Sequence, residues 1–254
     1  MTQTLLETTD LTVRFGGHVA VDRVTCSFRA GELTAIVGPN GAGKTTYFNL
    51  ISGQIGATAG RVTLKGQDIT RLSVSRRCRL GLGRAFQLTN LFPELSVFEN
   101  VRLVMQTRMG RGLNLLSTAE SHADVSHAAL AVLERVRLDR LRDQKVSELS
   151  HGNQRKLEVA MLIALEPDVY MFDEPTAGMS VDEAPVVLDL ITELKQDRSR
   201  TILLVEHKMD VIRTLADRII VLHNGALVAD GPPAEVMASD VVQEAYMGKE
   251  IEDV

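Results

Sequence analysis

The sequence predicts an α/β fold: a parallel-sheet core with an N-terminal antiparallel β subdomain and a mostly helical subdomain inserted into it. Three observations carry this. First, strand-length segments built on short apolar runs stand at Leu33–Val37, Val169–Phe172, Thr201–Val205 and Arg218–Leu222, and the later ones are separated by helical segments. Uniformly apolar runs of strand length mark strands buried on both faces, and helices between them imply parallel pairing. Second, the first thirty residues alternate and turn often. Third, from about residue 88 to residue 165 helix-like periods replace the strand signals.

In chain order, Leu11-Thr12-Val13-Arg14-Phe15, Gly16-Gly17 and His18 to Phe28 read as two strands joined by a hairpin. Ala30-Gly31-Glu32 turns the chain into Leu33–Val37. Thr46 to Ser52 reads as a helix, Arg61 to Lys65 as a strand ending in Gly66-Gln67, and Ser73 to Leu80 as a helix. Arg71, Arg76, Arg77 and Arg79 cluster there, as a solvated helix face or a basic patch. Ser96-Val97-Phe98-Glu99 has the capping-box form and opens the insertion's first helix. Gly110 and Gly112 make Arg108 to Leu116 a loop. Ser117 or Thr118 caps a helix through Ala128, Leu130, Val132, Leu133 and Val136. Leu149-Ser150-His151-Gly152-Asn153 opens another, through Leu157, Ala160, Met161 and Ala164. Asn224-Gly225 turns into a closing hairpin at Ala226 to Ala229, and Pro232-Pro233-Ala234-Glu235 starts a small C-terminal helix. The chain is expected to form one domain, with residues 1–87 and 166–254 as core and β subdomain and residues 88–165 as the helical subdomain.

Between the first apolar strand and its helix lies Gly38-Pro39-Asn40-Gly41-Ala42-Gly43-Lys44-Thr45-Thr46, which fits the phosphate-binding pattern G-x-x-x-x-G-K-[ST]. The glycines let successive N–H groups point at phosphate oxygens. Lys44 adds a cation for the β- and γ-phosphates, and the Thr45 hydroxyl suits Mg²⁺. The chain therefore binds a nucleoside triphosphate. Val169-Tyr170-Met171-Phe172 ends in Asp173 and Glu174, two carboxylates at the C-terminal end of a buried strand, where ligands of parallel sheets bind. Asp173 can hold Mg²⁺ and Glu174 can polarise a water, or the pair is a solvated strand end. Other positions stay open on their own chemistry. Ser150 and Gly152 form an anion-binding helix start or an ordinary N-cap. His207, after Glu206, reaches a γ-phosphate or caps a strand. Gln87 is a polar residue at a junction. Phe15 stacks a base or packs in the core.

Composition narrows the class. The chain has 254 residues, 44% of them hydrophobic, which is enough for a core. No apolar run approaches the roughly 18 residues of a membrane span, and the start lacks a signal-peptide pattern, so a soluble cytoplasmic chain is expected. A net charge of −5 argues against nucleic acid as the main partner. Cys26 and Cys78 lack metal-ligand spacing and read as reduced, buried thiols.

Taken together and in this order, the segments resemble an ATP-binding-cassette (ABC) ATPase over roughly residues 5–248. The resemblance implies a P-loop ABC ATPase core using ATP and Mg²⁺. It implies that Phe15 stacks adenine and that Gly38, Pro39, Asn40, Gly41, Ala42, Gly43, Lys44, Thr45 and Thr46 bind the nucleotide. Thr45, Gln87 and Asp173 would surround Mg²⁺. Glu174, His207 and Gln87 would serve catalysis, as base, switch histidine and Q-loop glutamine. Ser150, His151, Gly152 and Asn153 would act in trans on a nucleotide held by a second chain. Gly83-Arg84-Ala85-Phe86-Gln87, Asp173-Glu174-Pro175-Thr176-Ala177-Gly178-Met179 and Val242 to Gly248 further resemble subunits of branched-chain amino-acid importers of the LivG/LivF type, nearer LivG and related to urea and amide importers. Two departures stand out: Leu-Ser-His-Gly-Asn replaces Leu-Ser-Gly-Gly-Gln, and Ala177-Gly178-Met179-Ser180 lacks the usual closing Asp.

The implied partners are a second ABC ATPase subunit (paralogue or self) in a head-to-tail dimer, two transmembrane permease subunits and a periplasmic solute-binding protein. The implied location is the cytoplasmic face of the inner membrane, as a peripheral subunit. An export cassette of the lipopolysaccharide-transport type and an ABC ATPase outside transport are the alternatives. A single cassette with an insertion of ordinary size fits transport better than the latter. Leu91 and Phe92, in the apolar segment Leu88 to Leu95, either pack internally or dock a permease helix through Phe92.

Overall fold

Strand β1 (Thr4–Phe15) opens the chain and pairs antiparallel with β2 (His18–Arg29) through the tight turn at Gly16 and Gly17. The computed structural model describes residues 3–85, 91–110, 123–239 and 242. β1 starts seven residues before the alternation becomes readable at Leu11. The reason is local: Asp10 sits at φ 46°, and the register shifts between Thr8 and Leu11. A bulge of this kind resets which side chains face inward, so the period of two is broken in sequence though the pairing continues.

β3 (Leu33–Val37) follows, then α1 (Lys44–Ser52), β4 (Ala59–Leu64), β5 (Gln67–Asp68), α2 (Val74–Arg79) and β6 (Leu82–Arg84). Next come α3 (Val97–Arg108), α4 (Ala123–Arg135) and α5 (His151–Leu165). Strand–helix alternation then returns with β7 (Val169–Asp173), α6 (Ala184–Leu194), β8 (Thr201–Val205), α7 (Met209–Leu215) and β9 (Arg218–His223). β10 (Ala226–Gly231) and α8 (Pro233–Met237) close the described chain. Asn224 at φ 49° and Gly225 at φ 79° make the two-residue turn between β9 and β10, as that dipeptide favours.

Two compact units result. One comprises Met1–Arg84, Asp168–Glu174 and Lys195–Val254; the other comprises Ala85–Pro167 and Pro175–Leu194. α6, which the sequence reading assigned to the core, thus groups with the helical unit. The first unit holds two sheets, with orders β2-β1-β4-β5 and β10-β9-β3-β8-β7-β6. In the larger sheet β9, β3, β8, β7 and β6 run parallel and β10 antiparallel. Its central strands β9, β3, β8 and β7 are largely apolar because both of their faces are buried. Ile36, Leu203, Val205, Ile220 and Leu222 pack with α1 and the smaller sheet, while Ala35, Val37, Ile219 and Val221 pack with α7 and α8.

Tyr47 of α1 is fully buried in the first cluster, and its hydroxyl shares a 2.8 Å hydrogen bond with Thr8 of β1. Cys26 is buried beside them, and burial pushes its thiol up to about 11. The cysteines are free, as expected, though Cys78 is only half-buried. The clustered arginines do not share one solvated face. Arg71, Arg76 and Arg79 are exposed, but Arg77 is 2% exposed. Its guanidinium donates to the carbonyls of Leu50, Ile51, Leu72 and Thr70, so it ties the C-terminal end of α1 to the loop before α2. Nothing in sequence separates it from its exposed neighbours.

In the second unit Ser96 caps α3 by accepting from the Glu99 N–H at 3.1 Å, while the Glu99 carboxylate binds Arg102. The cap expected at Ser117 or Thr118 lies outside the described residues. On α5, burial pushes the Glu158 carboxyl up to about 7 against the pull of Arg155, whose Nη1 donates to it at 3.1 Å. A carboxyl raised on folding favours the folded state while protonated and penalises it once ionised, so this contribution is lost as pH rises through about 7. Glu158→Gln stays neutral. Its stability relative to the unchanged chain should therefore rise between about pH 5 and about pH 8, by about 1 kcal/mol or more. Urea unfolding of both chains at the two pH values checks this; parallel pH profiles would remove the penalty from Glu158.

Candidate functional site

The phosphate-loop pattern sits where β3 ends in the middle of its sheet. Two glycines there are dictated by close approach. At Gly38 (φ 149°) a Cβ would overlap the carbonyl oxygen of Leu222, and at Gly43 (φ 97°) it would stand 2.6 Å from the carbonyl oxygen of Ala20. Gly43 is the N-cap of α1, so the helix's free N–H groups open onto the loop. Lys44, 6% exposed, folds back over the loop and donates from Nζ to the carbonyls of Gly38 and Pro39 at 2.6 and 2.9 Å. That places a cation, a helix N-terminus and a curled backbone around one cavity of about 260 Å³, a setting for polyanionic phosphate.

Residues 40–46 form most of the cavity lining, and four residues from elsewhere complete it: His18, Ala20, Glu174 and His207. Glu174 and His207 arrive by register. β7 and β8 pair in parallel with Asp173 opposite Val205, so the residues just past each strand emerge side by side. Glu174 turns sharply at φ 49°, its N–H held by the Val205 carbonyl at 2.9 Å. Its Oε1 lies 2.8 Å from His207 Nε2. Positive φ is uncommon for a residue with a Cβ, and here it aims the carboxylate out of the sheet end. Glu206, 4% exposed, accepts from the His207 and Lys208 N–H groups and fixes the turn that presents the imidazole.

Asp173 is held from the side. Arg84 at the end of β6 donates from Nη2 to its Oδ2 at 2.8 Å. In the second unit, Ser150 is the N-cap of α5, and its Oγ accepts from the Asn153 N–H at 3.2 Å. His151 is exposed and Asn153 half-buried. Gly152 is buried, and a Cβ there would overlap the Glu183 carboxylate, which accepts from the Ser180 N–H and hydroxyl at 3.2 and 3.0 Å. At Gly178 (φ 70°) a Cβ would stand 3.3 Å from the His151 ring.

Residues 21–177 match the family described as "ABC transporter", and residues 226–252 match "Branched-chain amino acid ATP-binding cassette transporter". This chain belongs to the ABC transporter ATPases. Among its relatives, the high-affinity branched-chain amino acid transport ATP-binding protein LivG of Salmonella typhimurium is 37% identical over 98% of this chain and 100% of its own. A solved ATP-binding cassette of an ABC transporter in its ADP conformation is similar with a TM-score of 0.81 and 29% identity, covering 98% of this chain and 100% of that one. A dimeric cassette in a post-hydrolysis state, bound to ADP and Pi, is similar with a TM-score of 0.77 and 25% identity, over 90% and 99% of the two chains. The ABC transporter chain described here is accordingly an ATP-binding, ATP-hydrolysing enzyme.

The structure of this ABC ATPase gathers residues 40–46, Glu174 and His207 at one cavity, with Asp173 one residue before Glu174. Gln87 lies outside the described residues. Phe15 is 53% exposed at the hairpin tip, so it is no core residue. Phe92 is 49% exposed, and its backbone N–H and carbonyl are both held by the buried Asn100 side chain, which argues against internal packing. Sequence reasoning missed three residues. His18 and Ala20 line the cavity because the hairpin returns β2 past the loop; the signal available was their position just after the Phe15-Gly16-Gly17 turn. Arg84 stands inside the Gly83-to-Gln87 pattern, and no periodicity marks a buried arginine.

The glycine geometry is testable by contrast. Gly41 has φ 81° with nothing near its missing Cβ, so Gly41→Ala should cost only the left-handed backbone, about 1–2 kcal/mol. Gly38→Ala meets a rigid carbonyl and should cost about 3 kcal/mol or more while abolishing ATP binding. Urea unfolding and ATP titration compare the two; equal costs would show that the loop can shift away from Leu222.

Proposed function

We propose that this chain powers the import of branched-chain amino acids, or related small polar solutes, by hydrolysing ATP beneath a membrane permease. The carboxylate–imidazole pair of Glu174 and His207 on the wall of the phosphate cavity carries the hydrolytic part of the reading. The near full-length likeness to LivG supports the cargo class and the direction of transport over an export or non-transport role. Lys44 and the loop N–H groups bind the triphosphate. Phe15 offers an exposed ring to the adenine.

The donor set fits Mg²⁺: an exposed Thr45 hydroxyl and an Asp173 carboxylate, hard oxygens both, with Gln87 as a third. Bound there, Mg²⁺ would neutralise charge on the β- and γ-phosphates. Glu174 takes a proton from the attacking water as the water oxygen bonds to the γ-phosphorus and the bond to the ADP oxygen breaks. His207 holds the Glu174 carboxylate in place at 2.8 Å. Ser150, His151, Gly152 and Asn153 serve a nucleotide on a second cassette, paralogue or self, in a head-to-tail dimer. The similarity to a dimeric cassette bound to ADP and Pi supports this. The Ser150 hydroxyl is engaged as an N-cap in the single chain, so it accepts from Asn153 and has its own proton left to donate.

No helix among the described residues is long and apolar enough to cross a membrane, which fits a peripheral subunit on the cytoplasmic face that works through two permease subunits and a periplasmic solute-binding protein. Phe92 is the proposed anchor for the permease.

Glu174→Gln should retain ATP binding yet lose about 10²–10⁴-fold in turnover, because the neutral amide cannot accept the water's proton. Steady-state phosphate release and ATP titration separate the two effects, and turnover at half the unchanged rate would remove Glu174 from the role of base. Phe92→Asp should leave ATP hydrolysis by the isolated chain near normal while eliminating permease co-purification and solute uptake. Normal uptake by that variant would rule out the anchor.

A further inference from the structure

The geometry points to Arg84 as a positioning residue for the metal: it spans α1, which carries Thr45, and β7, which carries Asp173, and so fixes the separation and orientation of the two oxygen donors. The inference deepens the reading of Thr45 and Asp173 as Mg²⁺ ligands and rests on it.

Arg84 is 2% exposed. Nη1 donates to Asn49 Oδ1 at 2.8 Å and Ser52 Oγ at 3.0 Å, both on α1, and Nη2 donates to Asp173 Oδ2 at 2.8 Å. The guanidinium also lies over the Phe48 ring, 5.2 Å from its centroid. One planar group thus grips the phosphate-loop helix on one side and the carboxylate strand on the other. It takes one Asp173 oxygen and leaves Oδ1 with no hydrogen bond among the described residues, which is the arrangement a carboxylate needs to offer a single oxygen to a cation shell.

Fold stability does not explain this cation. A buried ion pair recovers little more than its desolvation cost, and a well-packed apolar residue serves stability as well or better. Arg84 Nε, moreover, is buried with no hydrogen-bond partner among the described residues, a further cost. What the guanidinium supplies and an apolar residue cannot is a rigid fork with fixed angles between its donors. Lysine carries the same charge as a point on a flexible stem and cannot span Asn49, Ser52 and Asp173 together.

The test measures metal binding with Mn²⁺ as the probe, by electron paramagnetic resonance, on the ADP-bound full chain, where no turnover is needed. Arg84→Met should weaken Mn²⁺ binding about tenfold while metal-free ADP affinity stays within about twofold, and Arg84→Lys should recover only part of the loss. In an Asp173→Ala background, which itself weakens Mn²⁺, Arg84→Met should have no further effect, because Arg84 acts through that carboxylate. If Arg84→Met does not fold, Asn49→Ala with Ser52→Ala cuts the tether to α1 and leaves the ion pair; it should weaken Mn²⁺ severalfold. Unchanged Mn²⁺ affinity in the Arg84 variant or the tether variant, or an equal loss of metal-free ADP affinity, overturns the positioning role alone when Asp173→Ala does weaken Mn²⁺. Unchanged Mn²⁺ affinity in Asp173→Ala overturns the metal reading itself, and the role of Arg84 with it.

Discussion

A parallel sheet buried on both faces can place polar chemistry only at its strand ends, and the candidate site of this ABC ATPase depends on that constraint. β3, β8 and β7 are buried on both faces, so their side chains are committed to the core. Functional groups appear where the strands stop. Gly38 follows β3, Asp173 ends β7 and Glu174 follows it, and Glu206 and His207 follow β8. The hydrogen-bond register then aligns these ends laterally. A one-residue slip between β7 and β8 would exchange the side chains packed on the two buried faces, so the packing that fixes the register also fixes the 2.8 Å contact between Glu174 and His207.

The loop that follows β3 is shaped by crowding as much as by flexibility. Leu222 and Ala20 bring carbonyl oxygens against Gly38 and Gly43, so these glycines are required by what surrounds them. The same tight packing encloses Lys44 and directs its ammonium at the loop's own carbonyls. A phosphate chain would replace part of that contact with a stronger charge-assisted one. The cradle is thus held in shape by interactions weaker than those the ligand provides.

Three local features mark the candidate site. Glu174 adopts a left-handed conformation, Arg84 is a buried cation, and the Gly152 backbone lies against the Glu183 carboxylate. The left-handed backbone and the buried cation each carry a cost that packing elsewhere must offset. The chain passes from the first unit to the second after Arg84 and again after Glu174, and these two residues end or follow adjacent parallel strands. The Arg84–Asp173 pair joins those strands at the point where both leave the sheet.

The sequence by itself determined the strand–helix order, the phosphate loop and the residues at the ends of β7 and β8, because buried strands are uniformly apolar and glycine-lysine-threonine patterns have few other uses. It also determined the cap at Ser96 and the helix start at Ser150, since a helix start is marked by residues three positions apart. It did not determine that β1 begins at Thr4, because the bulge at Asp10 scrambles the alternation, nor that α6 groups with the helical unit. Only the tertiary structure decided that Arg77 and Arg84 are buried while Arg71, Arg76 and Arg79 are not, that His18 and Ala20 reach the cavity, and that Phe15 and Phe92 stay exposed. The physical reason is the same in each case. Periodicity along one segment reports which face of that segment is apolar, whereas the partner of an arginine or an aromatic ring is supplied by a strand or helix distant in sequence.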